Sequence, residues 1–142
     1  MYVSAKTDYA VRTLMALALQ RDDHRVRAVV LARDHGMPVA SVEQILTDLR
    51  RHGLLTMQRG HEGGYRLARP PSEITLGEVF RIYDAVQLEV HGHPPEHVGY
   101  PPQFASLEGF YLRFRETLIG YIDSVTLADL VDVPAWRAVS SG

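Results

Sequence analysis

The sequence predicts a mainly α fold with one small β-hairpin: a winged helix-turn-helix followed by a long C-terminal helix suited to dimerisation. Three observations carry this. Two short amphipathic segments meet at a glycine turn, Asp34-His35-Gly36-Met37-Pro38. Just beyond them, RGHEGGYRLARP (Arg59 to Pro70) packs three glycines between two arginines and then alternates. From Leu107 onward, Leu107, Tyr111, Phe114, Leu118, Tyr121 and Val125 recur at spacings of four, three, four, three and four.

The first apolar pattern, Ala10, Val11, Leu14, Leu17 and Ala18, is one face of a helix, with Ser4 or Thr7 available as N-cap. Polar RDDHR (Arg21 to Arg25) ends it. A short helix follows around Ala28 to Asp34, and Gly36 suits its stop because glycine accepts the left-handed conformation. Pro38 is tolerated in the first turn of the next helix, whose inner face reads Val42, Ile45, Leu46 and Leu49 up to a second stop at Gly53. Two short helices joined by a tight turn form a helix-turn-helix, whose second helix, here Val39 to His52, normally enters the major groove. Ser41, Glu43, Gln44, Thr47, Asp48, Arg50 and Arg51 face outward on it. Taken alone, such residues are also what any solvated face carries.

Leu54 to Gln58 and Tyr65 to Ala68 read as short strands around a glycine-rich tip, a hairpin in the position of a wing. A wing needs a slim tip with cations beside it. Gly60, Gly63 and Gly64 supply the first, Arg59 and Arg66 the second, and His61 at the tip is placed to face phosphate. Arg69-Pro70-Pro71-Ser72 marks a boundary between a DNA-binding domain at 1–70 and, at 71–142, a linker helix, a proline- and histidine-rich loop and the dimerisation helix. Thr75 caps a helix from Leu76 to about Ala85, with Glu78 as its capping-box partner. Gln87 to Phe104 carries four prolines and two glycines and reads as an irregular loop.

The 4-3 spacing from Leu107 to Val125 is a coiled-coil seam. A second stripe of Phe110, Ile119 and Ile122 widens the apolar surface beyond one partner's needs, so the helix is expected to face both its own domain and a second copy. A homodimer would space two recognition helices for a palindromic site. The tail after Pro134 is expected to fray apart from Trp136.

Charge divides along the same line. Residues 1–69 hold eleven Lys or Arg against seven Asp or Glu, +4, whereas residues 70–142 hold four against ten, −6, so only the first half suits a polyanion. Zero cysteines exclude disulfides, a cysteine nucleophile and any thiolate-held metal cluster. No membrane-length apolar run or signal segment is visible, and a cytoplasmic location is expected.

EQILTDLRRHGLLTMQRGHEGGYRLARPPSEITLGEVFRIYDAV (Glu43 to Val86) resembles the core of the Rrf2 family of winged-helix regulators. TDYAVRTLMALA near the start and DSVTLADL near the end resemble that family's first helix and closing segment, so the similarity covers nearly the whole chain. The resemblance implies a dimeric, double-stranded-DNA-binding transcription factor, usually a repressor. On this chain it puts Glu43 and Gln44 at the base-reading positions, Glu accepting from cytosine and Gln pairing with adenine. Arg59 takes the wing position in the minor groove. The match weakens at Ala40-Ser41-Val42, where Ser41 keeps a candidate phosphate or base contact.

A larger departure lies in the loop. Many members of the family hold an iron-sulfur cluster there with three cysteines, and here that stretch has none. His91, His93 and His97 stand in it instead. Solvated loop histidines are the plain reading. The alternatives are a metal site, completed, as the resemblance implies, by Asp8 of the first helix across a dimer, and a small-molecule or pH response. Tyr83, Tyr100, Phe104 and Tyr111 are alternatively core residues or the lining of a small-effector pocket.

Two rival functions follow: an interaction or metal-sensing protein that keeps the winged shape without reading DNA, and, more remotely, an enzyme. No Ser-His-Asp arrangement, phosphate loop or paired-carboxylate motif supports the latter, so the chain is expected not to be one.

Overall fold

The structure, a computed structural model, describes residues 1–20, 24–84 and 86–132. The expected breaker at Arg21 to Asp23, the helix end at Ala85 and the tail with Trp136 lie outside the described residues. In order the chain forms α1 (Ala5–Ala18), α2 (Ala28–His35), α3 (Val39–Arg51), β1 (Leu55–Gln58), β2 (Gly64–Leu67), α4 (Leu76–Tyr83), α5 (Ala105–Ser124) and α6 (Leu127–Val131). The loop before α5 contains single 3-10 turns at Pro95–His97 and Pro102–Phe104, each led by a proline that presets φ.

Local signals set most of these boundaries. Ser4 caps α1, its hydroxyl accepting from the Thr7 N–H at 3.2 Å. Gly36 closes α2 at φ 65°, and Pro38 is the N-cap of α3 rather than part of its first turn. The inward face of α3 is shut off from solvent, Val42, Ile45, Leu46 and Leu49 being at most 1% exposed. Each such side chain contributes roughly 1.5 to 3 kcal/mol by leaving water, which outweighs the weak helix propensity of the β-branched members. The α3 face packs against α1 and α2, forming the helix-turn-helix. Strands β1 and β2 pair antiparallel with Leu55 opposite Leu67 and Gln58 opposite Gly64.

The capping box before α4 forms as expected, Thr75 and Glu78 exchanging hydrogen bonds at 3.3 and 3.2 Å. Glu78 also receives Arg69 at 2.9 Å, tying the exit of the wing to the start of α4. A second capping box, Thr126 with Asp129, opens α6. The two threonines face each other across a short antiparallel bridge, in which the Leu76 N–H donates to Val125 O at 2.9 Å and the Leu127 N–H to Ile74 O at 2.8 Å. Buried Ile74, Val79 and Leu127 join the cluster built on α1, α2 and α3, so one core runs from α1 to α6.

Helix α5 corrects the expected seam at one end. It stops at Ser124, and Val125 is extended (φ −92°, ψ 124°) because its carbonyl is taken by the bridge to Leu76. Val125 therefore does not continue the helical stripe. Within α5, Ile122 is buried, while Tyr111 and Leu118 are half-buried. Leu107, Phe114 and Tyr121 are 38%, 44% and 55% exposed, and Phe110, of the second stripe, is the most open of these at 60%. Phe110 and Phe114 stack face to face, centroids 6.2 Å apart. The bidentate Arg81–Asp123 pair (2.7 and 2.9 Å) fastens α5 to α4, and Arg115–Glu96 (3.1 Å) fastens it to the loop. Among the described residues no helix is long and apolar enough to cross a membrane.

Candidate nucleic-acid interface

The outer face of α3 is open near both ends, while Thr47 and Asp48 between them are half-buried. Glu43, Gln44, Arg50 and Arg51 are exposed and Ser41 is half-buried near the helix start. Arg50 and Arg51 lie in the last turn, where their charge also opposes the negative end of the helix dipole. Thr47 turns back to its own helix, its hydroxyl donating to Glu43 O at 3.0 Å. Gln44 is more constrained than its exposure suggests, since its Nε2 donates to Asp48 Oδ1 at 3.1 Å. The other carboxylate oxygen, Oδ2, accepts from the hydroxyl of Tyr83 at the end of α4, 3.0 Å away. Burial, and then the Asp48 carboxylate, raise the Tyr83 phenol above its ordinary pKa, so it remains a donor.

The wing follows α3 after the short link His52-Gly53-Leu54. Arg59, Gly60, His61 and Glu62 form its exposed tip. Arg59 makes no hydrogen bond or ion pair to any described residue, and its guanidinium stands ready for an outside acceptor. Gly63 and Gly64, and the neighbouring Tyr65, which the resemblance also placed in the wing's DNA-binding stretch, are buried, buried and half-buried. Gly64 has φ 138°, and a Cβ there would stand 2.7 Å from the Val26 carbonyl carbon. That closeness lets Val26 and Tyr65 exchange backbone hydrogen bonds of 2.9 and 2.8 Å, adding a one-residue third strand to the hairpin.

Sequence reasoning missed the residues that hold the wing. Arg27, the N-cap of α2, reaches across to donate from Nη2 to Gly60 O at 2.6 Å and His61 O at 3.1 Å. Arg25 donates to Thr56 Oγ1 at 3.3 Å. A basic Arg-x-Arg pair immediately before a helix was the available signal, but it names no partner.

The other candidates are dispersed. Tyr100 and Tyr111 stack at 6.5 Å, Phe104 is 55% exposed, and Tyr83 belongs with α3, so the four aromatic residues do not gather around one pocket. Asp8 pairs with Arg12 at 2.8 Å. Within one chain, the described residues contain no group of three His, Cys, Asp or Glu side chains arranged to hold a metal, and His91, His93 and His97 are all exposed.

An exposed polar helix carried on an α-helical core, with a braced hairpin beside it, is the architecture of a winged helix-turn-helix protein. The comparisons give the family. Residues 3–133 match the Rrf2 model, described as iron-dependent transcriptional regulator, and the chain belongs to that family. It is 34% identical over 130 residues to the HTH-type regulator Rv1287 of Mycobacterium tuberculosis, covering 92% of this chain and 81% of that one. With the regulator IscR of Klebsiella pneumoniae it shares 28% over 134 residues, covering 93% and 80%. Its fold matches the solved structure of CymR, the global cysteine regulator of B. subtilis, with TM-score 0.78 and 25% identity over 94% of this chain and 98% of that one.

Among the described residues of one chain, the iron named in the family description finds no matching group of three donors. Without cysteine there is no thiolate to hold a cluster, and the exposed loop histidines do not converge within one chain.

Proposed function

We propose that this chain is a sequence-specific repressor that binds a palindromic operator as a homodimer. Helix α3 lies in the major groove, with Glu43 and Gln44 reading base edges, Arg50 and Arg51 meeting phosphate, and Ser41 near the backbone. The wing enters the minor groove with Arg59 foremost. The observation that carries this reading is the pairing of the exposed α3 residues with an exposed Arg59, which has no partner among the described residues, on a wing that Arg27 braces from behind. The exposed Leu107, Phe110, Phe114 and Tyr121 on α5 support the dimer, because a contiguous apolar stripe left on a surface marks a site of association. The repressor role follows the resemblance, and the signal is one that needs no thiolate-held cluster.

The test is selection of genomic DNA by the purified chain followed by gel shifts on the recovered fragments. Arg59→Ala is expected to cost about 1 to 3 kcal/mol in binding and to reduce the salt slope by about one. No fragment retained at moderate salt, or retention unaffected by Arg59→Ala, would overturn the placement.

A further inference from the structure

We infer that Asp48 and Tyr83 form a specificity-determining relay that sets the orientation of the Gln44 side-chain amide before DNA arrives. The inference rests on the proposed reading of bases by α3.

A glutamine amide has two ends of nearly equal size and opposite hydrogen-bonding character, so a free Gln44 presents donor and acceptor to a base edge in either order. A carboxylate only accepts. With Asp48 Oδ1 at 3.1 Å, the end facing Asp48 must be the NH2, and the amide is fixed in one sense. This leaves Oε1 and the second N–H of Gln44 unclaimed. Those are the acceptor and donor that adenine matches with its N6 amino group and N7. Nε2 carries two hydrogens, so it can donate to Asp48 through one and to the base through the other, and the relay selects an orientation while leaving a donor and an acceptor for the base.

An exposed aspartate one turn along a helix would by itself be a loose anchor. Asp48 is held at its other oxygen by the half-buried Tyr83 hydroxyl at 3.0 Å, which fixes the plane of the carboxylate. Tyr83 comes from α4, an element packed on α1 and fastened to α5, so the order of donor and acceptor at the groove is set from outside the helix-turn-helix. Asp48 and Tyr83 are positioning residues. Neither needs to touch DNA.

The experiment is selection from a randomised duplex pool by the full chain, comparing the natural sequence with Gln44→Ala, Asp48→Ala and Tyr83→Phe, with thermal unfolding and salt slope recorded for each. Gln44→Ala identifies the base pair this side chain reads. Asp48→Ala is expected to reduce preference at that pair about fivefold or more, with preference elsewhere, salt slope and unfolding midpoint held. Tyr83→Phe, which deletes one hydroxyl, is expected to act at the same pair in the same direction by about twofold to threefold. Undiminished preference at that pair in both variants overturns the relay, and so does loss spread evenly over all positions. If the natural chain selects no motif, or Gln44→Ala alters no position, the reading of bases by α3 fails, and the relay with it.

Discussion

The Arg27 guanidinium lies 2.6 Å from the carbonyl oxygen of Gly60, so the residue that leads into α2 also holds the tip of the wing. The two are 33 positions apart, and the bond closes the hairpin onto the helix-turn-helix. Arg27→Ala is expected to weaken DNA binding by roughly 0.5 to 1.5 kcal/mol, the net worth of such hydrogen bonds, with little change in unfolding temperature. Fluorescence anisotropy on a selected duplex measures the first and calorimetry the second. Amide exchange at the wing tip should quicken as well, and unchanged exchange would mean the hairpin holds its own shape.

Gly64→Ala should be far more damaging than Gly60→Ala. Both glycines have positive φ, 138° and 108°, but a Cβ at Gly60 meets nothing within 4 Å, whereas at Gly64 it meets the Val26 backbone. Backbone strain alone costs about 1 to 3 kcal/mol, and at Gly64 the loss of the Val26–Tyr65 pairing adds to it. Urea unfolding of the two variants gives the comparison. Equal destabilisation would show that the Val26 contact matters little.

These two cases separate what the sequence displays from what it conceals. The apolar face of α3, the stop at Gly36 and the Thr75–Glu78 capping box are written within a few residues of one another, and each is found where the pattern puts it. Arg27 with Gly60, and Tyr83 with Asp48, are joined only by the folded chain, and no local spacing announces them. Helix α5 shows an intermediate case. Its periodicity gives a broad apolar arc, but not which edge the rest of the chain covers, so Phe110 falls on the open side. Nor does a heptad pattern register that Val125 leaves the helix to pair with Leu76. The residues on the outer face of α3 were legible as a set, while the constraint on Gln44 was not.

Replacing Phe110 and Phe114 together by glutamate should leave the chain folded and separate the copies. Both rings are exposed, so the fold of one chain loses little. An interface that buries them loses roughly 1.5 to 3 kcal/mol for each before the cost of the new charges. Analytical ultracentrifugation is expected to show a monomer, with weaker binding to a selected duplex. A dimer persisting in the double variant would place the interface elsewhere.

Asp84 gives stability a dependence on acid pH. Desolvation pulls its carboxyl pKa up, but the Ser4 N–H at 3.1 Å and the Thr7 hydroxyl at 2.8 Å favour the charged form more strongly, leaving the pKa below its ordinary value. A carboxyl depressed in the folded state contributes stability that is full above its unfolded pKa, about 3.9, and lost as pH falls through the folded value. Asp84→Ala should therefore lower stability at pH 7, with the difference from the natural chain shrinking below about pH 4. Urea unfolding from pH 7 to pH 3 tests this, and a constant difference would assign the effect to packing.

The bridge between Thr75 and Thr126 has a mechanical consequence. Two backbone hydrogen bonds, together with the Arg81–Asp123 fork, clamp the start of α4 to the end of α5. Because α4 packs on α1, and α1 on α3, α5 is linked to α3 through an unbroken series of packed helices. In the proposed dimer, a tilt at the contact between copies is expected to change the reach between the two α3 helices, and with it the half-site spacing preferred on the duplex rather than the letters within each half-site.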